Sequence, residues 1–174
     1  RVNLLILGDL NPRKRVDLLI EAVAALDDPR LRIVHVGAWH GVQQFATELR
    51  EKAKDLEARG QYVYGGKVSD TDLRRLYSSA DLFVLPTLDE GFGFPPLEAM
   101  ACGCNVLVSD IPPLRETMGD LATYAPLTAE GFTKGLEEAL KRKRPAATLV
   151  DHAATFTWRR CAEQTLQAYA ALAQ

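Results

Sequence analysis

Net charge is what this chain most plainly lacks: 21 Lys and Arg face 23 Asp and Glu across 174 residues, for a formal charge of -2. No global field draws in nucleic acid or an anionic membrane, so any anion must be held by locally placed basic groups. Cysteine is scarce and odd in number. Cys102, Cys104 and Cys161 make no disulfide framework, and Cys102-Gly103-Cys104, far from any histidine, does not suggest a zinc site. Reduced thiols and a cytoplasmic location are expected. No apolar run is long enough to cross a bilayer, and no charged-then-apolar leader precedes the first strand, so a soluble chain is expected. Internal repeats and low-complexity linkers are also missing.

What is present is a core and a rhythm. A 47% hydrophobic content with 25% charged residues belongs to an ordinary globular domain. Apolar runs at Leu4–Leu7, Leu31–Val36, Tyr62–Tyr64, Leu82–Leu85 and Val106–Val108 end in Gly, Pro or polar turns, as buried parallel strands do. A weaker run, Leu121–Tyr124, is a possible sixth strand. Helical patterns lie between them at Val16–Leu26, Gln43–Arg59, Thr71–Ser79, Pro96–Cys102, Thr128–Arg142 and Trp158–Ala173. Alternation of strand and helix predicts an α/β domain with a Rossmann-like, doubly wound parallel sheet. Ligands of such a sheet sit beyond the carboxyl ends of its strands. The chain enters its first strand directly after Arg1, so it is expected to be a piece of a longer protein.

One segment concentrates the chemistry. After the Leu82–Leu85 strand and Pro86 come Thr87-Leu88-Asp89-Glu90-Gly91-Phe92-Gly93-Phe94-Pro95-Pro96-Leu97-Glu98-Ala99-Met100. One carboxylate stands at the strand's exit and another in the expected first turn of a helix. Glycines at 91 and 93 permit unusual backbone conformations and close ligand approach. Pro95 and Pro96 have no N–H, which leaves the amides of Gly91 to Phe94, then Leu97 and Glu98, as anion donors. Carboxylates repel an anion, so Glu90 and Glu98 make sense as acceptors from hydroxyl pairs, as on a sugar and a ribose. A helix with an acidic first turn that merely suits its dipole is the competing explanation, and the residues alone leave both open.

The spacing of Glu90 and Glu98 within Glu-Gly-Phe-Gly-Phe-Pro-Pro-Leu-Glu-Ala-Met-Ala-Cys-Gly resembles the signature of the retaining GT-B glycosyltransferases of family 4, including mannosyltransferase-like members acting on GDP-mannose. The similarity runs over nearly the whole chain, which resembles the C-terminal half of that two-domain fold. The resemblance implies that residues 1–174 bind a nucleoside diphosphate sugar, GDP- or UDP-linked. It implies that Glu90 contacts donor-sugar hydroxyls and is the residue to test for catalysis, that Glu98 holds the ribose, and that Gly91, Phe92, Gly93, Phe94 and Leu97 meet the sugar or its diphosphate. No cofactor and no metal are implied. An acceptor sugar or lipid-linked glycan would be held by an N-terminal domain, with peripheral membrane association possible for the full-length enzyme. The terminal helix, 157–174, with Leu166 and Tyr169, would pack towards that domain. The isolated chain would not turn over.

Two further segments fit the resemblance. Gly8-Asp9-Leu10-Asn11-Pro12-Arg13-Lys14-Arg15-Val16 sets three cations at a helix start, where the dipole disfavours them, a broken local rule that hints at a bound anion. Lys14 occupies the family's diphosphate-binding Lys position. Many members carry Arg directly after the strand-end glycine; here Asp9 stands there, and Arg13 is the candidate substitute. In Gly66-Lys67-Val68-Ser69-Asp70-Thr71-Asp72-Leu73, Val68 marks the loop that meets the nucleobase through backbone groups. Ser69 or Asp70 reads as an N-cap, and Asp70-Thr71-Asp72 as a helix start in preference to a metal site. His35, inside a strand, reads as an interior histidine; Trp39 and His40 could line the pocket; His152 has no partner in view. Lys141–Arg144 reads as a solvated helix end. A glycosidase, which needs carboxyls on either side of a scissile bond, and a non-catalytic nucleotide-binding or regulatory module are the rival readings.

Overall fold

A computed structural model describes residues 1–38 and 43–172. Six strands, β1 Val2–Leu7, β2 Leu31–Val36, β3 Tyr62–Gly66, β4 Leu82–Leu85, β5 Val106–Ser109 and β6 Thr123–Ala125, form one sheet in the order β3-β2-β1-β4-β5-β6. Every pairing is parallel. The helices are α1 Val16–Leu26, α2 Gln43–Ala58, α3 Asp70–Ser79, α4 Phe94–Ala101, α5 Pro112–Met118, α6 Ala129–Lys141, α7 Ala146–Ala154 and α8 Trp158–Leu172.

Side chains alternate across β1 and so feed two cores. Leu4 and Ile6 face the layer that includes α1, α2 and α6, with Leu19, Leu49, Phe132 and Leu136. Leu5 faces the layer with Tyr77, Leu97, Met100, Leu114 and Leu149 from α3, α4, α5 and α7. Burial on both faces explains why β4 (LFVL) and β5 (VLVS) are continuously buried with no polar alternation.

The expected doubly wound sheet is present, and α1 spans the residues predicted for it. Two helices were not anticipated. α5 has seven residues and opens with two prolines, which read as a turn, and α7 has nine and buries only Leu149 and Ala153, too few to mark an apolar face. The sixth strand is real but lies at Thr123–Ala125, shifted from the expected run because Gly119–Leu121 forms a 3-10 turn.

Strand order fixes where loops meet. Sequence order reverses at the β1–β4 boundary, so the segments leaving β1 and β4 emerge side by side at the carboxyl edge. α8 behaves differently from every other helix. None of its described residues is buried, and Trp158, Leu166, Tyr169 and Leu172 are among the exposed large apolar side chains. Among the described residues, no helix is long and apolar enough to cross a membrane.

Candidate functional site

The segment after β1 is not a frayed start of α1. Pro12–Lys14 form a separate 3-10 turn, capped by the Asn11 side chain accepting from the Arg13 amide. Arg15 follows in the left-handed region at φ 42°, and α1 begins only at Val16. Arg13 and Lys14 therefore belong to this turn and not to α1, while Arg15 stands at the N-cap of α1 as expected, and each of the three is engaged by protein. The Arg15 guanidinium meets Asp17, with Nη2 to Oδ2 at 2.9 Å. Arg13 donates to the Asp89 carbonyl. Lys14 Nζ lies 2.8 Å from Glu90 Oε2, with Arg13 Nη1 4.0 Å from the same oxygen.

The segment after β4 is stitched to this turn and to the next strand. The Leu88 amide donates to the Arg13 carbonyl at 2.9 Å. Buried Thr87 donates its amide to Ser109 Oγ at 2.8 Å and its hydroxyl to the Asp89 carbonyl at 2.7 Å. Further on, the Thr117 hydroxyl of α5 donates to the Phe92 carbonyl at 2.9 Å. Carbonyls and flanks are thus held from three sides. The amides of Gly91, Phe92, Gly93 and Phe94 meet no protein acceptor among the described residues; Gly91, Phe92 and Phe94 are exposed and leave three donors for a ligand, whereas Gly93 is buried.

Helix α4 starts two residues earlier than the sequence suggested, because its first positions tolerate Pro95 and Pro96. Two expectations are corrected as a result. The Leu97 amide is not free, since it donates to the Gly93 carbonyl at 3.2 Å. Glu98 lies just past the first turn, which carries no acidic residue. Its carboxylate instead accepts from Tyr77 Oη on α3 at 3.0 Å. Tyr77 is 2% exposed, and burial first, then the charge of Glu98, push its pKa upward, so it stays a donor.

The two glycines also separate. Gly93 has φ 85°, and a Cβ there would lie 2.6 Å from Leu114 Cδ2, so the fold itself demands glycine. Gly91 is not left-handed, and a Cβ would meet nothing within 4 Å; an open face for a ligand, and not backbone strain, is what glycine provides there.

Phe92 and Phe94 meet with their rings tilted at 42° and 4.8 Å between centroids, and Phe92 meets Phe156 edge-on at 5.7 Å. With Glu98, His152 and Trp158 they line a groove of about 1080 Å³ between α4 and the α7–α8 corner. His152 has a partner after all: its Nε2 donates to the Thr117 carbonyl at 2.8 Å. Val68 leaves β3, three places from β4 in the sheet, and packs half-buried against the second core. Helix α3 follows it, where Ser69 caps the helix by accepting from the Asp72 amide and Asp72 is further tied to Arg75.

Asp9, where a cation was anticipated, accepts from the Ala38 amide at 2.8 Å and bridges the exits of β1 and β2. His35 is fully buried, with Nε2 donating to the Gly8 carbonyl at 2.9 Å and Nδ1 accepting from Tyr62 Oη at 2.7 Å. Burial lowers its pKa, and it is the interior histidine the sequence suggested. Trp39 and His40 lie outside the described residues. In the basic run, Arg142 pairs with Glu138, Lys143 with Asp81 and Arg144 with the Asp120 carbonyl, consistent with a solvated helix end.

Comparison with known proteins follows the same lines. A sequence model of the family described as Glycosyl transferases group 1 matches residues 2–155. The chain is 33% identical to the serotype-specific mannosyltransferase WbdA of Escherichia coli over 98% of its own length and 22% of that protein. It is 31% identical to the O-antigen chain mannosyltransferase B of Escherichia coli over 95% of its length and 45% of that protein. Among solved structures it resembles Anabaena HepE in complex with UDP, with a TM-score of 0.80 and 20% identity, covering 98% of this chain and 49% of that one. This likeness shows the fold, a half of the GT-B architecture. The chain spans less than half the length of the relatives it matches here.

Proposed function

The chain belongs to the glycosyl transferases group 1 family, and on that premise we propose that it is the nucleotide-sugar-binding domain of a retaining hexosyltransferase. Its donor would be a GDP- or UDP-linked hexose. The acceptor, a sugar or lipid-linked glycan in polysaccharide or glycoconjugate synthesis, is held by a second, N-terminal domain. The mannosyltransferase and O-antigen relatives support a mannosyl donor.

One observation carries this reading: Lys14 and Glu90, from loops that only the sheet order brings together, meet at 2.8 Å, and the turn that follows Glu90 carries the unpartnered amides of exposed Gly91, Phe92 and Phe94. Cations and N–H groups suit a diphosphate, and a carboxylate suits sugar hydroxyls. Transfer breaks the bond from the anomeric carbon to the phosphate oxygen. Charge grows on the leaving diphosphate, and Lys14, Arg13 and the amides of Gly91, Phe92 and Phe94 stabilise it, each preorganised donor contributing about 3 kcal/mol. Glu90 orients the hexose for attack by the acceptor oxygen on the face the diphosphate leaves. Glu98, steadied by Tyr77, accepts from the ribose, and the Val68 loop meets the base through its backbone. The isolated chain binds donor without turning it over.

Calorimetric titration with UDP, GDP and ADP, each against its nucleoside, tests the assignment. A diphosphate binds more tightly than its nucleoside, and Lys14→Ala removes most of the difference. Equal affinities for nucleoside and diphosphate in the unaltered chain would sink the phosphate site. In the full-length enzyme Glu90→Ala lowers the transfer rate, and an unchanged rate would leave a nucleotide-binding module without a catalytic role.

A further inference from the structure

The Lys14–Glu90 pair raises a question that hexose binding alone does not answer. A diphosphate site gains by having its lysine free, yet here the ammonium is matched by a carboxylate at 2.8 Å, with side-chain exposures of only 13% and 15%. Both partners are largely enclosed. The Lys14 stem lies over Gly8, so close that a Cβ at position 8 would sit 3.3 Å from its Cγ. The backbone between the two loops is tied by Leu88 to the Arg13 carbonyl, and the Arg13 side chain reaches back to the Asp89 carbonyl.

Geometry then sets a bound. A phosphate oxygen within hydrogen-bond reach of Lys14 Nζ, about 2.8 Å, cannot lie more than about 6 Å from Glu90 Oε2, because the two legs add. Any phosphate that uses Lys14 also feels Glu90. At that separation, in a partly buried site, repulsion between single charges changes an equilibrium by about tenfold or more.

Donor and product present this pair with different chemistry. In the donor, the phosphate next to the hexose is esterified to the sugar and joined by an anhydride to the other phosphate, so it carries one negative charge, and the hexose brings hydroxyls that donate to the carboxylate. After transfer the hydroxyls have left with the hexosyl group, and the same phosphate, now terminal, carries about -1.5 to -2. We propose that Glu90 discriminates donor from spent product: it accepts from the sugar while the hexose is attached and repels the bare terminal phosphate once it has gone, so that the site favours release of the nucleoside diphosphate. The proposal rests on the nucleotide-sugar reading above and assigns Glu90 a role in product release beyond orienting the hexose.

The test titrates the chain with GDP-mannose, GDP and the β-methyl ester of GDP, with UDP-glucose and UDP as a second set. The methyl ester keeps the single charge of the donor's phosphate and lacks the hydroxyls, so it separates the two effects. In Glu90→Gln, GDP binds about tenfold tighter, the methyl ester gains less, and GDP-mannose does not gain. Glu90→Ala likewise raises the affinity for GDP relative to GDP-mannose, so the proposal is tested even if Glu90→Gln does not fold. Equal factors for GDP and GDP-mannose in either variant overturn the proposal and leave the donor-site assignment intact. If the unaltered chain binds no diphosphate from either set, the nucleotide-sugar reading fails, and this proposal with it.

Discussion

Tyr77 Oη donates to Glu98 Oε2 across 3.0 Å, joining α3 to α4 beneath the groove that Glu98 lines. The phenol is buried against Phe83, ring centroids 5.6 Å apart, while the carboxylate reaches solvent. Tyr77 thereby fixes the direction of the carboxylate, and it also carries the helix that follows the Val68 loop. Tyr77→Phe keeps the ring and removes only the hydrogen bond. A bond to a charged but exposed acceptor contributes about 1 kcal/mol, so the melting temperature should fall by about 2–4 °C and nucleotide affinity by about fivefold. Calorimetry with GDP and UDP checks this, and an unchanged affinity would remove Tyr77 from the site.

Gly91 and Gly93 should respond oppositely to alanine. At Gly93 the left-handed backbone costs about 1–2 kcal/mol for any other residue, and the added Cβ also displaces Leu114. The melting temperature should drop by several degrees, since about 1 kcal/mol corresponds to about 2–4 °C in a domain of this size. Gly91→Ala meets nothing and should melt like the unaltered chain while binding nucleotide sugar less well. Loss of stability at 91 would mean that glycine is there for the fold alone.

His35 predicts a pH dependence with a definite sign. Its folded pKa lies below the ordinary value of 6.5 because burial disfavours the imidazolium. Below 6.5 the unfolded chain binds the proton and the folded chain does not, so stability rises with pH there. The contribution is complete above 6.5 and is lost as pH falls below it. Urea midpoints between about pH 5 and about pH 7.5 should show this slope, and His35→Gln should flatten it. The variant should also be less stable throughout, because Tyr62 loses its acceptor.

Helix α8 should be dispensable for the stability of this chain. None of its described residues is buried, and a side chain that stays in solvent forgoes the roughly 1.5–3 kcal/mol that burial of a large apolar group contributes. Deleting residues 158–174 should leave the melting temperature within about 3 °C of the intact chain. A large drop would show that Trp158 or its neighbours pack in solution.

Much of this was legible in the chain of letters. Continuous apolar strands broken by Gly and Pro, with helical periods between, determined a parallel sheet buried on both faces, because only that arrangement hides LFVL and VLVS from water on each side. The run from Glu90 to Glu98 could be singled out because paired carboxylates around amide-rich glycines are an uncommon local chemistry. Helices α5 and α7 were not legible: α5 opens on Pro112-Pro113, which reads as a turn, and α7 buries only Leu149 and Ala153, too few to mark an apolar face.

Tertiary structure alone decided which groups act on one another. Lys14 and Glu90 are 76 residues apart in sequence, and only the β1–β4 adjacency sets them 2.8 Å apart. Tyr77 carries no motif and became a site residue only when α3 packed beside α4. Likewise, the start of α4 at Phe94 removed the Leu97 amide from the available donors. The spacing of the two glutamates reveals both carboxylates, but not that one is held by a lysine and the other by a buried phenol, because those contacts depend on the order in which the strands assemble.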